Sequence, residues 1–281
     1  MHSPIPMTTS LARTTRAAAA ALCLVAVAAR AQDEVPFVTT PDAVTLAMLE
    51  LAGVTARDHV VDLGSGDGRI VITAARRFGA SGLGVEIVAD LVRISRQHAR
   101  AADVDERVEF REQDLFATDL GPATVVTMYL LPAVNLQLRP RLLALAPGTR
   151  IVSHDWDLGD WQPERTVTVD VPDKAVGREK LSRIHLWIVP AAVQGTWCAA
   201  GRRLEIVQRF QAFSATLSTA GRPVPLVFDG RVDGTMLRAH GTPSLELALE
   251  GDALRARPGD GVTASGWPAE ARFRRADGRS C

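Results

Sequence analysis

Asp62-Leu63-Gly64-Ser65-Gly66-Asp67-Gly68 stands between two kinds of periodicity. Before it, His59-Val60-Val61-Asp62-Leu63 is a short apolar run of strand type. After it, Arg69–Phe78 carries Ile70, Ala74, Ala75 and Phe78 at helical spacing. Alternate glycines let the backbone turn sharply and approach a ligand with no Cβ in the way. The helix that follows adds free N–H groups able to hold an anion such as a carboxylate. Glu86, 24 residues past Asp62, closes a second strand, where a carboxylate can accept both hydroxyls of a ribose.

The spacing separates two nucleotide-binding classes. A dinucleotide fingerprint needs G-x-G-x-x-G, and Arg69 stands where its third glycine belongs. The third glycine is Gly68 instead, and an acid precedes the set, which argues against a nicotinamide oxidoreductase.

Working outward, Gly82–Val85, Arg107–Arg111, Thr124–Met128 and Thr149–Ser153 are further short strands. Asp42–Ala52, Ala89–Ala102 and Ala133–Ala146 are helical, and Pro140 predicts a kink or two shorter helices in the last. Val167–Val171 and Ile184–Val189 complete the sheet as a pair. Short buried strands alternating with helices predict an α/β fold with a doubly wound, mostly parallel sheet.

The Asp-x-Gly-x-Gly-x-Gly turn, with Glu86 and a further acid at Asp114, resembles motif I and the core order of class I S-adenosylmethionine-dependent methyltransferases over residues 58–128. Met128-Tyr129-Leu130-Leu131-Pro132 and Gly148-Thr149-Arg150-Ile151-Val152-Ser153-His154-Asp155-Trp156 extend the resemblance over about residues 36–190. They are similar to the protein-lysine methyltransferase family that includes the mitochondrial enzymes acting on ATP synthase subunit c, and distantly to the Dot1 type. The resemblance implies a seven-stranded Rossmann-like sheet and S-adenosyl-L-methionine as cofactor. It assigns Asp62 and the backbone at Gly64 and Gly66 to the methionine moiety, Ser65 and Gly68 to cofactor binding in the same turn, Glu86 to the ribose, Asp114 and Leu115 to the adenine, and Thr40, in Pro36–Pro41, to a segment that lids the cofactor. The implied acceptor is a protein lysine or a small amine.

A lysine acceptor must be neutral to attack a sulfonium methyl, and an aromatic wall favours the methylammonium formed. Tyr129, the only tyrosine, falls at the expected mouth, with His154 and Asp155 ending the fifth strand beside it as candidate bases. Trp156 and Trp161 follow, to pack a loop or line the pocket. The scattered histidines give no metal-ligand spacing.

The chain has 281 residues, with 32 basic and 32 acidic. That balance argues against a nucleic-acid partner. It also averages unlike pieces: residues 1–31 carry three arginines and no acid, 32–190 carry 17 basic and 23 acidic residues, and 191–281 carry 12 and 9. The first piece pairs a polar, basic start with a 13-residue apolar run and Ala29-Arg30-Ala31. That is the pattern of a cleavable signal peptide, predicting export to the periplasm; left uncleaved, it would be a membrane anchor with transient membrane association. The cofactor domain is expected over 32–190. Beyond Pro190 the period turns to alternation, as in Leu245, Leu247 and Leu249, with Asp-Gly turns at 229, 233, 260 and 277. This predicts a small antiparallel β domain over 194–281, a meander or partial barrel. Cys198 and Cys281 lie in it, free to pair in an oxidising compartment or to remain unrelated thiols. A second functional reading, a nucleotide-binding sensor without transferase activity coupled to a β ligand module, rests on the export signal, since the cofactor is made in the cytoplasm.

Overall fold

The computed structural model describes residues 37–175, 179–240, 246–257, 271–276 and 281. The expected signal peptide lies outside the described residues. Among those residues, no helix is long and apolar enough to cross a membrane.

The first half contains α1 (Asp42–Leu51), β1 (His59–Leu63), α2 (Arg69–Phe78), β2 (Ser81–Glu86), α3 (Ala89–Ala101), β3 (Val108–Glu112), β4 (Val125–Met128), α4 (Pro132–Leu143), β5 (Arg150–His154), β6 (Arg165–Asp170) and β7 (Leu181–Ile188). The seven strands form one sheet in the order β3-β2-β1-β4-β5-β7-β6. All neighbours are parallel except β7, which runs antiparallel to both β5 and β6. Side chains alternate across the sheet, so each strand feeds two cores. Val60, Val125, Val152 and Ile184 pack with α1 and α2 on one face. Val61, Val126, Ile151 and Trp187 pack with Leu138 and Leu142 of α4, and with Trp161, on the other. Covering both faces is what the near-continuous apolar strands require.

The expected break at Pro140 does not divide α4, which is one helix with Pro140 inside it. Proline removes its own N–H and crowds one carbonyl a turn earlier. Pro140 lies near the end of the helix, and buried Asn135, Leu138 and Leu142 tie α4 to the sheet on both sides of it.

The second half contains β8 (Gly195–Ala199), β9 (Arg202–Arg209), β10 (Ala212–Thr219), β11 (Leu226–Asp233), β12 (Met236–Ala239), β13 (Glu246–Glu250), β14 (Ala253–Arg257) and β15 (Arg272–Arg275). These eight strands make a closed antiparallel barrel, larger than the small meander or partial barrel expected. Closure is made by β15 pairing with β8. The physical reason is the unpaired edge: an open meander would leave two rows of backbone groups exposed, and a barrel leaves none. Trp197, Leu204, Phe213, Val232, Leu254 and Phe273 fill the interior. A disulfide joins Cys198 to Cys281, resolving the choice left open by the sequence in favour of pairing.

The barrel meets the sheet through the chain between β5 and β6. Phe210, in the β9–β10 turn, stacks on Trp161 at 6.0 Å between ring centroids. The Arg139 and Arg209 guanidiniums lie 5.7 and 5.9 Å from the Phe210 centroid, and both pair with Asp160. Gln211 donates to the Gln162 carbonyl at 2.8 Å, and Arg231 pairs with Glu164. Trp161 therefore belongs to the core rather than to a pocket.

Candidate active site

Strand order reverses between β1 and β4, and in such sheets ligands bind beyond the carboxyl ends of the strands at that switch point. The glycine turn follows β1 there. Gly64, Gly66 and Gly68 all adopt left-handed backbone, with φ of 74°, 53° and 82°. A Cβ on Gly66 would come within 2.4 Å of Phe37, and one on Gly68 within 2.7 Å of Phe110, so close aromatic neighbours as well as the backbone angle require glycine at both places. Ser65 Oγ is buried beneath the turn with no hydrogen-bond partner.

Two carboxylates brace this turn. Glu86 Oε2 accepts from Gly66 N–H at 3.0 Å, and Oε1 accepts from Ile87 and Val88 N–H at 2.8 and 3.0 Å. Asp62 is 2% exposed, and its Oδ1 accepts from Thr127 Oγ1 at 2.7 Å. Burial pushes its carboxyl up to about 7, against the Thr127 bond and with help from the nearby Glu86 and Asp67 charges. An acid so placed holds its charge poorly until a cation arrives. A left-handed glycine turn, an unpartnered hydroxyl and a buried acid lacking a cation suit an amino acid-bearing nucleoside. Asp114 sits past β3, where its Oδ1 accepts from Phe116 N–H at 2.8 Å and caps a short 3-10 turn, Leu115–Ala117. Leu115 is partly buried against the α4-side core.

The structure brings Thr40, Tyr129, His154 and Asp155 together at the same rim. The Tyr129 and His154 rings lie 3.9 Å apart between centroids. His154 is 1% exposed; its Nε2 is 2.8 Å from Ser182 Oγ and its Nδ1 is 3.5 Å from Thr40 Oγ1. Burial pulls the imidazole down to about 4, with Asp155 opposing and Lys174 reinforcing the shift. The ring is therefore neutral near pH 7, and its 3.6 Å approach to Asp155 is not an ion pair there. Burial and the nearby Asp155 carboxylate push Tyr129 up. Asp155 has φ of 62°, unusual for a residue with a Cβ. Its N–H donates to Arg183 O at 2.6 Å, and its Oδ1 accepts from Arg183 N–H at 3.0 Å. Trp156 follows, 43% exposed at the rim.

Three contributors escaped the sequence reading. Arg69 served only to exclude a dinucleotide site, yet it donates to Thr40 O at 2.9 Å and pairs with Asp67 at 2.7 Å, so it ties the segment before α1 to the turn. Its position at the start of α2, opposite an acid two residues earlier, was the available signal. Asn135 of α4 donates to the Trp156 and Asp157 carbonyls at 3.3 and 3.2 Å, holding the chain past Asp155. Lys174, from the β6–β7 connection, places Nζ 2.6 Å from Asp155 Oδ2. Neither of these last two carries a local sequence signal.

Comparison with known proteins agrees with this geometry. The ANTKMT methyltransferase domain model matches residues 62–165. A protein-lysine N-methyltransferase of Saccharolobus islandicus (strain REY15A) is 43% identical over 138 residues, covering 48% of this chain and 86% of that protein. The adenine nucleotide translocase lysine N-methyltransferase of Mus musculus is 38% identical over 38% of this chain, and the match spans 48% of that protein. A crystal structure titled as an RNA methyltransferase from Salinibacter ruber, in complex with S-adenosyl-L-homocysteine, is 50% identical with a TM-score of 0.50, covering 56% of this chain and 96% of that one. With a glycine cradle and buried acid at the switch point, and a relative so similar over most of its own length, the chain belongs to this family of S-adenosylmethionine-dependent methyltransferases.

Proposed function

We propose that the enzyme methylates lysine amines of a protein, and that the rim cluster of Tyr129, His154 and Asp155 receives the acceptor. The observation that carries this is the aromatic pair at 3.9 Å with a carboxylate against it, at the carboxyl end of the strands beside the glycine turn. The names of the archaeal and mouse relatives favour the same acceptor.

The residue roles follow from their chemistry. Asp62 faces the cofactor's ammonium, and the Gly64, Gly66 and Gly68 backbone with Ser65 Oγ cradles its amino-acid part. Glu86 holds the ribose, Asp114 and Leu115 the adenine, and Thr40 closes the lid. Bound S-adenosylmethionine supplies an electrophilic methyl on a sulfonium, so the protein's work is to orient the amine, strip its water and remove its proton. The Tyr129 and His154 rings form an apolar wall that excludes water and favours the methylated cation. Asp155 accepts the proton as the amine becomes neutral.

The test uses the full chain with methyl-labelled cofactor and, separately, a lysine-rich protein mixture and total RNA. Label recovered as methyl-lysine is the expected result. Label confined to RNA would replace the reading with the one named for the Salinibacter protein. Tyr129→Ala should lower kcat about tenfold or more and leave cofactor affinity within about twofold, as loss of a desolvated cation–π contact requires.

A further inference from the structure

The chain contains two lysines, Lys174 and Lys180, against thirty arginines. Both lie between β6 and β7. Because β7 runs antiparallel to β5, its start at Leu181 shares the rim with the ends of β4 and β5. The lysines therefore stand where the acceptor amine is expected.

They are not placed alike. Lys180 is exposed, and its Nζ donates to the Lys174 carbonyl at 3.1 Å. The Lys174 side chain turns inward and is 11% exposed. Its Nζ is 2.6 Å from Asp155 Oδ2 and donates to Leu181 O at 2.6 Å. That carboxylate also lies by Tyr129, whose ring is tilted 30° against His154 at 3.9 Å between centroids. A primary amine thus sits against the same acid and aromatic pair that an incoming lysine must reach. The residue type matters. Arginine serves nearly every other cationic position and would pair with Asp155 at least as well by its planar fork. What lysine adds is an amine that can lose its proton and attack.

We propose that Lys174 is an acceptor for the enzyme's own methyl transfer, made in cis. The proposal rests on the lysine-methyltransferase reading. The Lys174 ammonium gives a proton to Asp155, and from there to water. The freed Nζ pair attacks the cofactor's methyl carbon. The N–C bond forms as the S–C bond breaks, the bonding pair stays on sulfur, and the products are N-methyl-lysine and S-adenosylhomocysteine.

The experiment incubates the full chain with methyl-labelled S-adenosylmethionine, with and without an external lysine-rich protein, and locates the label by peptide mass spectrometry. Label is expected on Lys174 and not Lys180, with a rate constant unchanged by dilution. Lys174→Arg, which keeps the pair to Asp155, should lose nearly all self-label while still binding S-adenosylmethionine. Label on the external protein with Lys174 unmodified overturns the proposal and leaves the lysine reading standing. No label on any lysine, with cofactor bound, overturns both. A second readout needs no cofactor: an amine-acylating reagent should modify Lys180 well before Lys174, and Asp155→Ala should speed modification of Lys174. Equal reactivity of the two lysines would remove the geometric basis of the proposal.

Discussion

Asp62 is the residue whose ionisation the fold controls most visibly. Its folded pKa of about 7 lies above the ordinary 3.8, so the folded state holds a proton that the unfolded chain has released across that interval. The stability this proton brings is complete below about pH 4 and is lost as pH rises through 7, a change of at most about 4 kcal/mol. Asp62→Asn keeps the Thr127 hydrogen bond and abolishes the titration. Thermal melts at several pH values should show the variant gaining on the parent steadily from pH 4 to 7, then holding its advantage. A constant difference would mean that Asp62 does not titrate there. The variant should also bind S-adenosylmethionine at least about tenfold more weakly at pH 7.5, because the ligand's ammonium loses a charge-assisted partner.

At the scale of elements, the glycine turn and the segment before α1 form one unit. Arg69 holds the Thr40 carbonyl, and Phe37 lies over Gly66. Gly66→Ala forces a Cβ into left-handed backbone and against the Phe37 ring, at a cost of about 1–3 kcal/mol. Phe37→Ala should recover the steric part of that cost but not the backbone part. A double-mutant cycle by denaturant unfolding checks it; strict additivity would show that Phe37 does not lie on the turn.

This is also the scale at which the sequence could be read. The sheet strands and their helices fall within a few residues of expectation, because apolar runs and helical spacing are local. Asp62, Glu86 and Asp114 could be placed from the sequence because each stands at or just past the carboxyl end of a strand. Lys174 was not, since it reaches Asp155 only through the antiparallel return of β7, a pairing that no window of sequence contains. Barrel closure escaped for the same reason: β8 meets a strand more than seventy residues away.

For the whole molecule, one short stretch of chain serves both the sheet's rim and the barrel. The chain leaving Asp155 and Trp156 passes Trp161 and Glu164 before entering β6, so its start lines the proposed acceptor site and its end carries the barrel contacts. Phe210 is the centre of that contact, with φ of 53°. Phe210→Ala should cost about 1–3 kcal/mol through lost packing on Trp161. Calorimetry should then resolve two unfolding transitions in place of one. A single transition at an unchanged temperature would show that the halves are held elsewhere.

The Cys198–Cys281 bridge, whose ends are 83 positions apart in sequence, makes the barrel a ring twice over, once in hydrogen bonds and once in covalent bonds. A peptide bond cut between β12 and β13 therefore releases no fragment. The severed strands remain one molecule until the sulfurs are reduced, so damage to the barrel's connections does not detach any part of it from the enzyme.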